Sequence, residues 1–420
     1  MATRIDLTDS ERATLDWIDG RADGMIATLK DWVRINSGSR NADGLERMRG
    51  ELEHVFAETG GQIRAVDLKP TVSVSPSGEV GEQNFTPSFH LSVRPDAPIK
   101  IALTGHHDTV FPKGDSFSDW RMIDADTMNG PGAADMKGGI LVMLHALLAL
   151  ERSPHAANIG YDVLISPDEE IGSLGSGPVI HELGSKAHVG MTYEPALADG
   201  SLAGARKGSG NWSLKVSGKA AHAGREHHLG RNAIAAASAF ALGLDALNGQ
   251  RDGVTFNVAR IDGGGPPNVV PANAVVRFNV RVKETDDQDW VLASLDRLTQ
   301  ETAARDGITA SMHGGFTRPA KPMTPANARM FEWTREAGTA IGLDILWNDT
   351  GGVCEGNNLW AAGCPNVDTL GVCGASIHSH EEIAILSSLP ERAKLSAIML
   401  MKFASGEFDA REARALAKNA

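Results

Sequence analysis

The segment Ile99-Lys100-Ile101-Ala102-Leu103-Thr104-Gly105-His106-His107-Asp108-Thr109-Val110 passes from a short apolar run, through one glycine, into a polar tip. An apolar run of this length that stops so sharply reads as a buried strand, and in an open α/β sheet the carboxyl ends of the strands are where ligands bind. A histidine two residues before an aspartate can hold a metal while the carboxylate orients its ring. Taken alone, the pair is explained as well by a strand-end histidine satisfied by its neighbour.

Working outward, the apolar spacing of Leu15, Trp17, Ile18, Met25, Ile26, Leu29, Trp32 and Val33 predicts one long or broken helix over 9–35, interrupted at Gly20 and Gly24, and a second helix follows over 44–59. Strands are expected around 63–68, 89–93 and 99–104, with 72–87 as loop. Downstream, Ile140, Leu141, Met143, Leu144, Ala146, Leu147 and Leu150 make a buried helix, followed by a strand at 161–166, a helix at 176–183, and strands at 189–194 and 367–371. Strand and helix alternate, which implies an α/β sheet with helices on both faces. Between Lys207 and Thr317 the order becomes strand, helix, two strands, helix, with a closing strand near Ser311, a pattern of ferredoxin-like α+β kind. The expected division is 1–206 and 318–420 as two parts of one domain, with 207–317 inserted.

A chain of 420 residues with 42% hydrophobic content exceeds the usual ceiling for a single core, consistent with two domains. The formal charge of -13 argues against nucleic acid, whose binders carry a basic face. Residues 1–20 lack a basic-then-apolar leader pattern and no uninterrupted apolar run approaches the ~20 residues of a membrane helix, so neither a membrane nor an exported location is expected and the cytoplasm is the default. Cys354, Cys364 and Cys373 show no CxxC spacing and are read as reduced thiols near the core.

Four further segments carry chemistry. Asn129-Gly130-Pro131-Gly132-Ala133-Ala134-Asp135-Met136-Lys137-Gly138-Gly139 places an acid at a helix start behind a flexible loop, and lacks the Gly-Lys-Ser/Thr of a phosphate loop. Ser166-Pro167-Asp168-Glu169-Glu170-Ile171-Gly172 puts three successive carboxylates just past a buried strand, where their repulsion needs cations. Tyr193-Glu194-Pro195 sits at another strand end, and Ile377-His378-Ser379-His380-Glu381-Glu382 lies far downstream. Five candidate ligands, His106, Asp135, Glu170, Glu194 and His378, thus fall on strand ends or glycine loops of one sheet, a donor set that suits a pair of zinc ions sharing a bridging carboxylate. No Gly-x-Ser-x-Gly elbow competes, and His181-Glu182 misses a zincin pattern because Ser185 stands where the second histidine would be.

With these motifs in place, the sequence resembles the family-20 metallopeptidases, the group of glutamate carboxypeptidase, aminoacylase, acetylornithine deacetylase and succinyl-diaminopimelate desuccinylase. The ordered set GHHDTV, GPGAADMKGG, PDEEIGS, YEP, GKAAHAG, NVVPA and IHSHEE carries the likeness over nearly the whole chain. The resemblance implies a zinc-peptidase-like mixed sheet with an inserted lid and dimerisation domain, and two zinc ions per chain, with manganese or cobalt as alternatives. It makes Asp135 the bridge, His106 and Glu194 the ligands of one ion, Glu170 and His378 those of the other. Asp108 would orient His106, Glu169 would be the general base, and His222 would reach the active site of a second copy to stabilise an oxyanion. Asn268, Arg281 and Arg318 resemble the family's substrate-carboxylate contacts, and Gly352 and Gly356 lie in its carboxylate-end loop. There the chain departs from the family: Cys354 and Glu355 replace a small hydroxyl residue and an Asp.

The expected function is hydrolysis of an amide bond next to a free carboxylate, with a glutamate-type carboxypeptidase foremost. A deacylase or dipeptidase is the alternative enzyme, and an inactive binding protein on the same fold the non-enzyme one. The substrate is expected to be a small anionic N-acyl amino acid or peptide, since a guanidinium pairs with a carboxylate in bidentate fashion. A cationic substrate would need acidic pocket residues, which the sequence does not identify.

Overall fold

A computed structural model describes residues 5–418. Its centre is a six-stranded mixed sheet in the order Gln62–Val66, Ser88–Val93, Ile159–Ser166, Ile99–His106, Val189–Thr192, Asn366–Val367. Ile99–His106 runs parallel to both neighbours, while Ser88–Val93 is antiparallel to Ile159–Ser166. Ile101 and Leu103 are essentially inaccessible, each side chain stabilising the fold by about 1.5–3 kcal/mol on removal from water. Strands buried on both sides need helices on both faces, and the chain supplies them. The one-long-helix option over 9–35 resolves into two, Asp9–Asp19 and Ala22–Val33, broken at Gly20. The first is fixed by a capping box in which the Thr8 hydroxyl accepts the Glu11 N–H and the Glu11 carboxylate accepts the Thr8 N–H.

Gly139–Glu151 is apolar all round because it is buried all round. Ala133–Glu151 is long and apolar enough by composition to cross a membrane, yet 89% of the window lies inside the fold, packed on Ser388–Ser405. The expected strand at 367–371 shrinks to Asn366–Val367, because Thr369 takes a left-handed backbone (φ +60) that a ladder cannot continue; Leu370 and Gly371 still donate to Thr192 and Glu194 carbonyls.

A second sheet, antiparallel, runs Thr255–Gly263, Asn273–Val282, Gly208–Ser217, Thr309–Arg318. With the helices Ala233–Asp245 and Asp287–Ala303 it shares a core of its own, where Trp212 stacks on Phe278 at 5.8 Å. One expectation fails: within 72–87 the chain forms a hairpin, Thr71–Val74 against Val80–Gln83, turned through Gly78 at φ +83. Val72 and Val80 are exposed and only Val74 is buried, so no alternating buried face marks it, and it is held from outside by the Arg277 guanidinium donating to the Val74 carbonyl at 2.6 Å.

Candidate metal centre

The candidate ligands come from a strand end and from the loops and turns beyond other elements: His106 closes its strand, Glu170 and Glu194 follow the strands Ile159–Ser166 and Val189–Thr192, and Asp135 and His378 sit on irregular backbone. His106 is fully buried, with Nε2 at 3.1 Å from Asp135 Oδ1 and 3.7 Å from Glu194 Oε1. The other Asp135 oxygen, Oδ2, lies 3.2 Å from His378 Nε2, which is also 3.1 Å from Glu170 Oε2. The five residues therefore form two groups, His106–Asp135–Glu194 and Asp135–Glu170–His378, sharing Asp135 through its two oxygens. His378 is carried on a left-handed backbone (φ +63), a conformation worth about 1 kcal/mol of strain in a residue with a Cβ.

Asp108 ties the pieces together. Its Oδ1 is 3.3 Å from His106 Nδ1, its carboxylate accepts the backbone N–H groups of Glu169 and Glu170 at 3.1 and 3.2 Å, and Ser39 donates to it at 2.7 Å. Glu169 stands beside this turn with Oε1 gripped by Arg318 Nη2 at 2.5 Å. Arg318 is itself buried, its Nη1 donating to Asn358 and its Nη2 also to Ser173. The arginine expected on the substrate is thus engaged with the expected base.

The electrostatics are those of an acid cluster short of cations. Burial first, and then the neighbouring Asp135 charge, push Glu170 up to about 8. Burial likewise pushes Glu194 up to about 7. Contacts with Asp135 and Glu170 raise His378 to about 11. Asp135 moves the other way: burial opposes its ionisation, but His106 and His378 hold it well below the usual carboxylate range. Glu194 Oε1 is buried without any hydrogen-bond donor among the described residues. Two histidines and three carboxylates, one shared and one with an orphaned oxygen, are the donor chemistry that divalent metal ions require.

Below the cluster lies a cavity of about 580 Å³ walled by Glu169, Arg206, Arg281, Arg318, Gly352 and Cys354, among others. Of the expected substrate contacts, Arg281, Arg318 and Gly352 line it. Gly356 does not: it is buried at the start of Glu355–Ala361, where an added Cβ would meet Asn366 Oδ1 at 2.8 Å. Glu355 is turned away as well, hydrogen-bonded by Ser166 in the core. His222 and Asn268 lie together on the second sheet's loops, the Asn268 carbonyl accepting the Ala223 N–H at 2.9 Å, and neither lines the cavity of their own chain. His222 Nδ1 accepts the Gly224 and Arg225 N–H groups, each at 3.2 Å, so the neutral ring carries its proton on Nε2.

Sequence reasoning missed three residues. Glu382, 1% exposed, accepts the N–H groups of Gly132, Ala134 and Asp135 at 3.1, 2.9 and 3.1 Å and so fixes the loop that carries the shared ligand. Burial, then Asp135, raises its carboxyl to about 7 against the pull of those bonds. The glycine loop's unsatisfied N–H groups were the available signal. Asp349, which accepts the Ala205 N–H at 2.9 Å, supplies an acid to the cavity wall that no sequence pattern marks. Arg206 is the third.

Fold and donor set together define a metal-dependent hydrolase. The sequence matches Peptidase family M20/M25/M40 over residues 102–402, and the chain belongs to that family and is a hydrolytic enzyme. It is 27% identical over 390 residues to carboxypeptidase G2 of Pseudomonas sp. strain RS-16, spanning 91% of this chain and 90% of that one. With a succinyl-diaminopimelate desuccinylase of Acinetobacter baylyi it shares 30% identity over 319 residues, 69% of this chain and 81% of the relative. The fold is that of a metallo-carboxypeptidase of Sulfolobus solfataricus (TM-score 0.69, 18% identity, 91% of this chain and 99% of that one). A Saccharomyces cerevisiae dipeptidase has it too (TM-score 0.70, 13% identity, 95% and 99%).

Proposed function

We propose that the protein is a two-zinc hydrolase of amide or peptide bonds next to a free carboxylate, acting as a glutamate-type carboxypeptidase. The observation that carries this reading is Asp135, which offers one oxygen to each of two donor groups above a cavity walled by arginines. When bound, the ions polarise the scissile carbonyl and make water acidic enough to give up a proton near neutrality; zinc suits the donors, with manganese and cobalt as alternatives.

The chain's own residues divide the remaining work. Glu169 accepts the proton of the attacking water and passes it to the departing amine nitrogen. Arg318 holds one Glu169 oxygen at 2.5 Å and is assigned a positioning role, with any contact to substrate secondary. Asp108 keeps His106 in register. Arg281, whose Nε donates to Asn279 and whose Nη1 stands 3.5 Å from the Gly351 carbonyl, receives the substrate carboxylate beside Gly352.

We assign 207–317 as an inserted lid that also pairs two copies of the chain. His222 and Asn268 lie outside their own cavity, and a second copy would complete it with an Nε2–H donor aimed at the oxyanion, worth on the order of 10²–10³-fold in rate. Three buried, unpaired cysteines suit the reducing cytoplasm.

A second reading, deacylation of an N-acyl amino acid, is favoured by Asp349, a carboxylate in the wall able to face a cationic side chain. Metal per chain by mass spectrometry, with amino-acid release from N-acyl-glutamate, N-acetyl and dipeptide substrates, tests both. About two zinc ions per chain and chelator-sensitive glutamate release are expected. Two ions with release only from N-acetyl substrates would overturn the carboxypeptidase reading, and absence of metal and turnover would overturn the hydrolase mechanism.

A further inference from the structure

We propose that Cys373 is a site of reversible oxidation by hydroperoxides, that Arg392 holds its sulfenic acid, and that the oxidised residue loosens the metal centre. The loosening rests on the two-zinc reading above; the oxidation does not. Cys373 opens the strand Cys373–Ala375 and lines a cavity of about 400 Å³ that shares no lining residue with the one below the donor cluster. Arg392, in the second turn of the helix Ser388–Ser405, lines the same cavity with its side chain only 2% exposed. Its Nη2 donates to the Gly200 carbonyl at 2.9 Å and stands 3.3 Å from Cys373 Sγ, while Nε and Nη1 have no hydrogen-bond acceptor among the described residues.

A buried guanidinium short of acceptors is costly, and a neutral thiol is a weak acceptor for it. Three carboxylates share the cavity wall, and none closes the gap. Asp199 and Asp344 are exposed to water, where charges are screened, and Asp199 accepts the Ser201 N–H; Glu391, 38% exposed, comes to 3.7 Å from Nε. The thiolate is the form that attacks peroxides, and a cation beside the sulfur favours it. In the step, sulfur attacks one peroxide oxygen: the S–O bond forms as the O–O bond breaks, sulfur gives up two electrons, and the departing hydroxide takes a proton to become water. The added oxygen offers Arg392 the strong acceptor it lacks. The other thiols have no such arrangement: burial pushes Cys364 up to about 12 and Cys354 far up, and neither lines this cavity.

The consequence follows from what the strand supports. Cys373 pairs with Ala196, two residues past Glu194, and Gly374 packs so closely on the Asp135 loop that an added Cβ would meet Ala134 Cβ at 2.5 Å. Ala375 pairs with Ile383, which follows Glu382, and the same segment runs on to His378. The Cys373 N–H is fixed on Ser388 Oγ at 2.9 Å. An oxygen inserted between Sγ and the guanidinium widens their contact, and a close-packed interior passes that displacement along the strand.

The test treats the zinc-loaded protein with hydrogen peroxide and reads two quantities: sulfenic acid at each cysteine, trapped with dimedone and located by peptide mass spectrometry, and zinc affinity by chelator competition. Cys373 should carry the adduct, with Cys354 and Cys364 unlabelled. Treated wild type should bind zinc about 10-fold more weakly and recover once a thiol reductant has been applied and removed. Cys373→Ser should hold its zinc affinity through peroxide. Arg392→Gln should slow labelling of Cys373 about 10-fold, the worth of one hydrogen bond to a charged group, and Arg392→Lys, which keeps the charge, should slow it less. Labelling spread evenly over the three cysteines or absent from Cys373 overturns the proposal. So does labelling that leaves zinc affinity within about twofold of the untreated protein, or a Cys373→Ser protein that loses affinity as the wild type does. Failure of untreated protein to bind zinc would overturn the two-zinc reading and the loosening together, while the labelling pattern would still support or overturn the oxidation site.

Discussion

Replacing Glu382 by glutamine should weaken the metal centre without touching a ligand. The wild-type carboxylate accepts the Ala134 and Asp135 N–H groups on Oε1 and the Gly132 N–H on Oε2. A glutamine carbonyl placed at Oε1 keeps two of these bonds, now without charge assistance, and sets its NH₂ against the Gly132 N–H, donor to donor. One charged hydrogen bond is lost outright, worth about 1.5–3 kcal/mol. The loop can relieve the clash only by shifting, and Asp135 shifts with it, so both metal positions suffer. Loss of outer-shell support of this kind lowers metal affinity by about 10- to 100-fold. Zinc affinity by chelator competition, with thermal melting in the presence and absence of zinc, reads both effects; the exposed neighbour Glu381→Gln is the control. If affinity stays within about twofold of wild type while the melting temperature falls, Glu382 serves the fold and not the centre, and the reasoning is refuted.

Glu169→Ala should lower kcat by about 10²–10⁴-fold with zinc content unchanged by mass spectrometry, and loss of metal in that variant would move Glu169 into the ligand set. His222→Ala and Glu169→Ala proteins, each nearly inactive, should regain about a quarter of wild-type activity when unfolded and refolded as an equimolar mixture, because half of random dimers then carry one intact composite site; no recovery would place His222 in its own chain's site. Asp368 is opposed by burial but brought down by Arg206 and Lys321 to about 2, from an ordinary 3.8. A depressed folded-state pKa gives stability that is full above the unfolded value, so about 2 kcal/mol should be lost as pH falls from about 4 through 2. In denaturant titrations of metal-free protein, Asp368→Asn should be less stable at pH 7 by about 3 kcal/mol and show a shallower fall across that window; parallel curves would count against the pairing.

What the sequence revealed and what it hid follow from how each residue is held. His106, Glu170 and Glu194 follow apolar runs that can only be buried strands, so their convergence at one edge of one sheet is read from the order of runs alone. Asp135 and His378 depend on irregular backbone: the glycine loop and the histidine-acid cluster marked them as candidate donors, and only the family pattern gave them their roles as shared and terminal ligand. The hairpin Thr71–Val74 and Val80–Gln83 stayed hidden because Val72 and Val80 face solvent, leaving Val74 as its one buried valine, and its tether, Arg277, lies about two hundred residues away. Gly356 was misplaced for a related reason: a glycine in a functional loop and a glycine required by packing look alike until the neighbours at Asn366 and Asp368 are known. Arg318 was recognised as important, but its partner was assigned by family habit, whereas the fold gives its guanidinium to Glu169 and Asn358.

The pair least visible in the sequence is Arg206 with Asp368, in and behind the wall of the cavity. Arg206 and Asp368 are separated by 162 residues, belong to no motif, and carry opposite charges that a composition count cancels. Only packing reveals that Asp368 is already shared with Lys321, so the arginine is oriented without being neutralised. Metal chemistry common to a family can be written in short motifs because each donor must reach one point. Which wall charge remains unpaired is a property of the whole buried network, and no short motif can write it. Two chains could therefore match at every ligand and still differ in the charge of the cavity wall through a single residue such as Lys321, whose loss would leave Asp368 to pair with Arg206 alone.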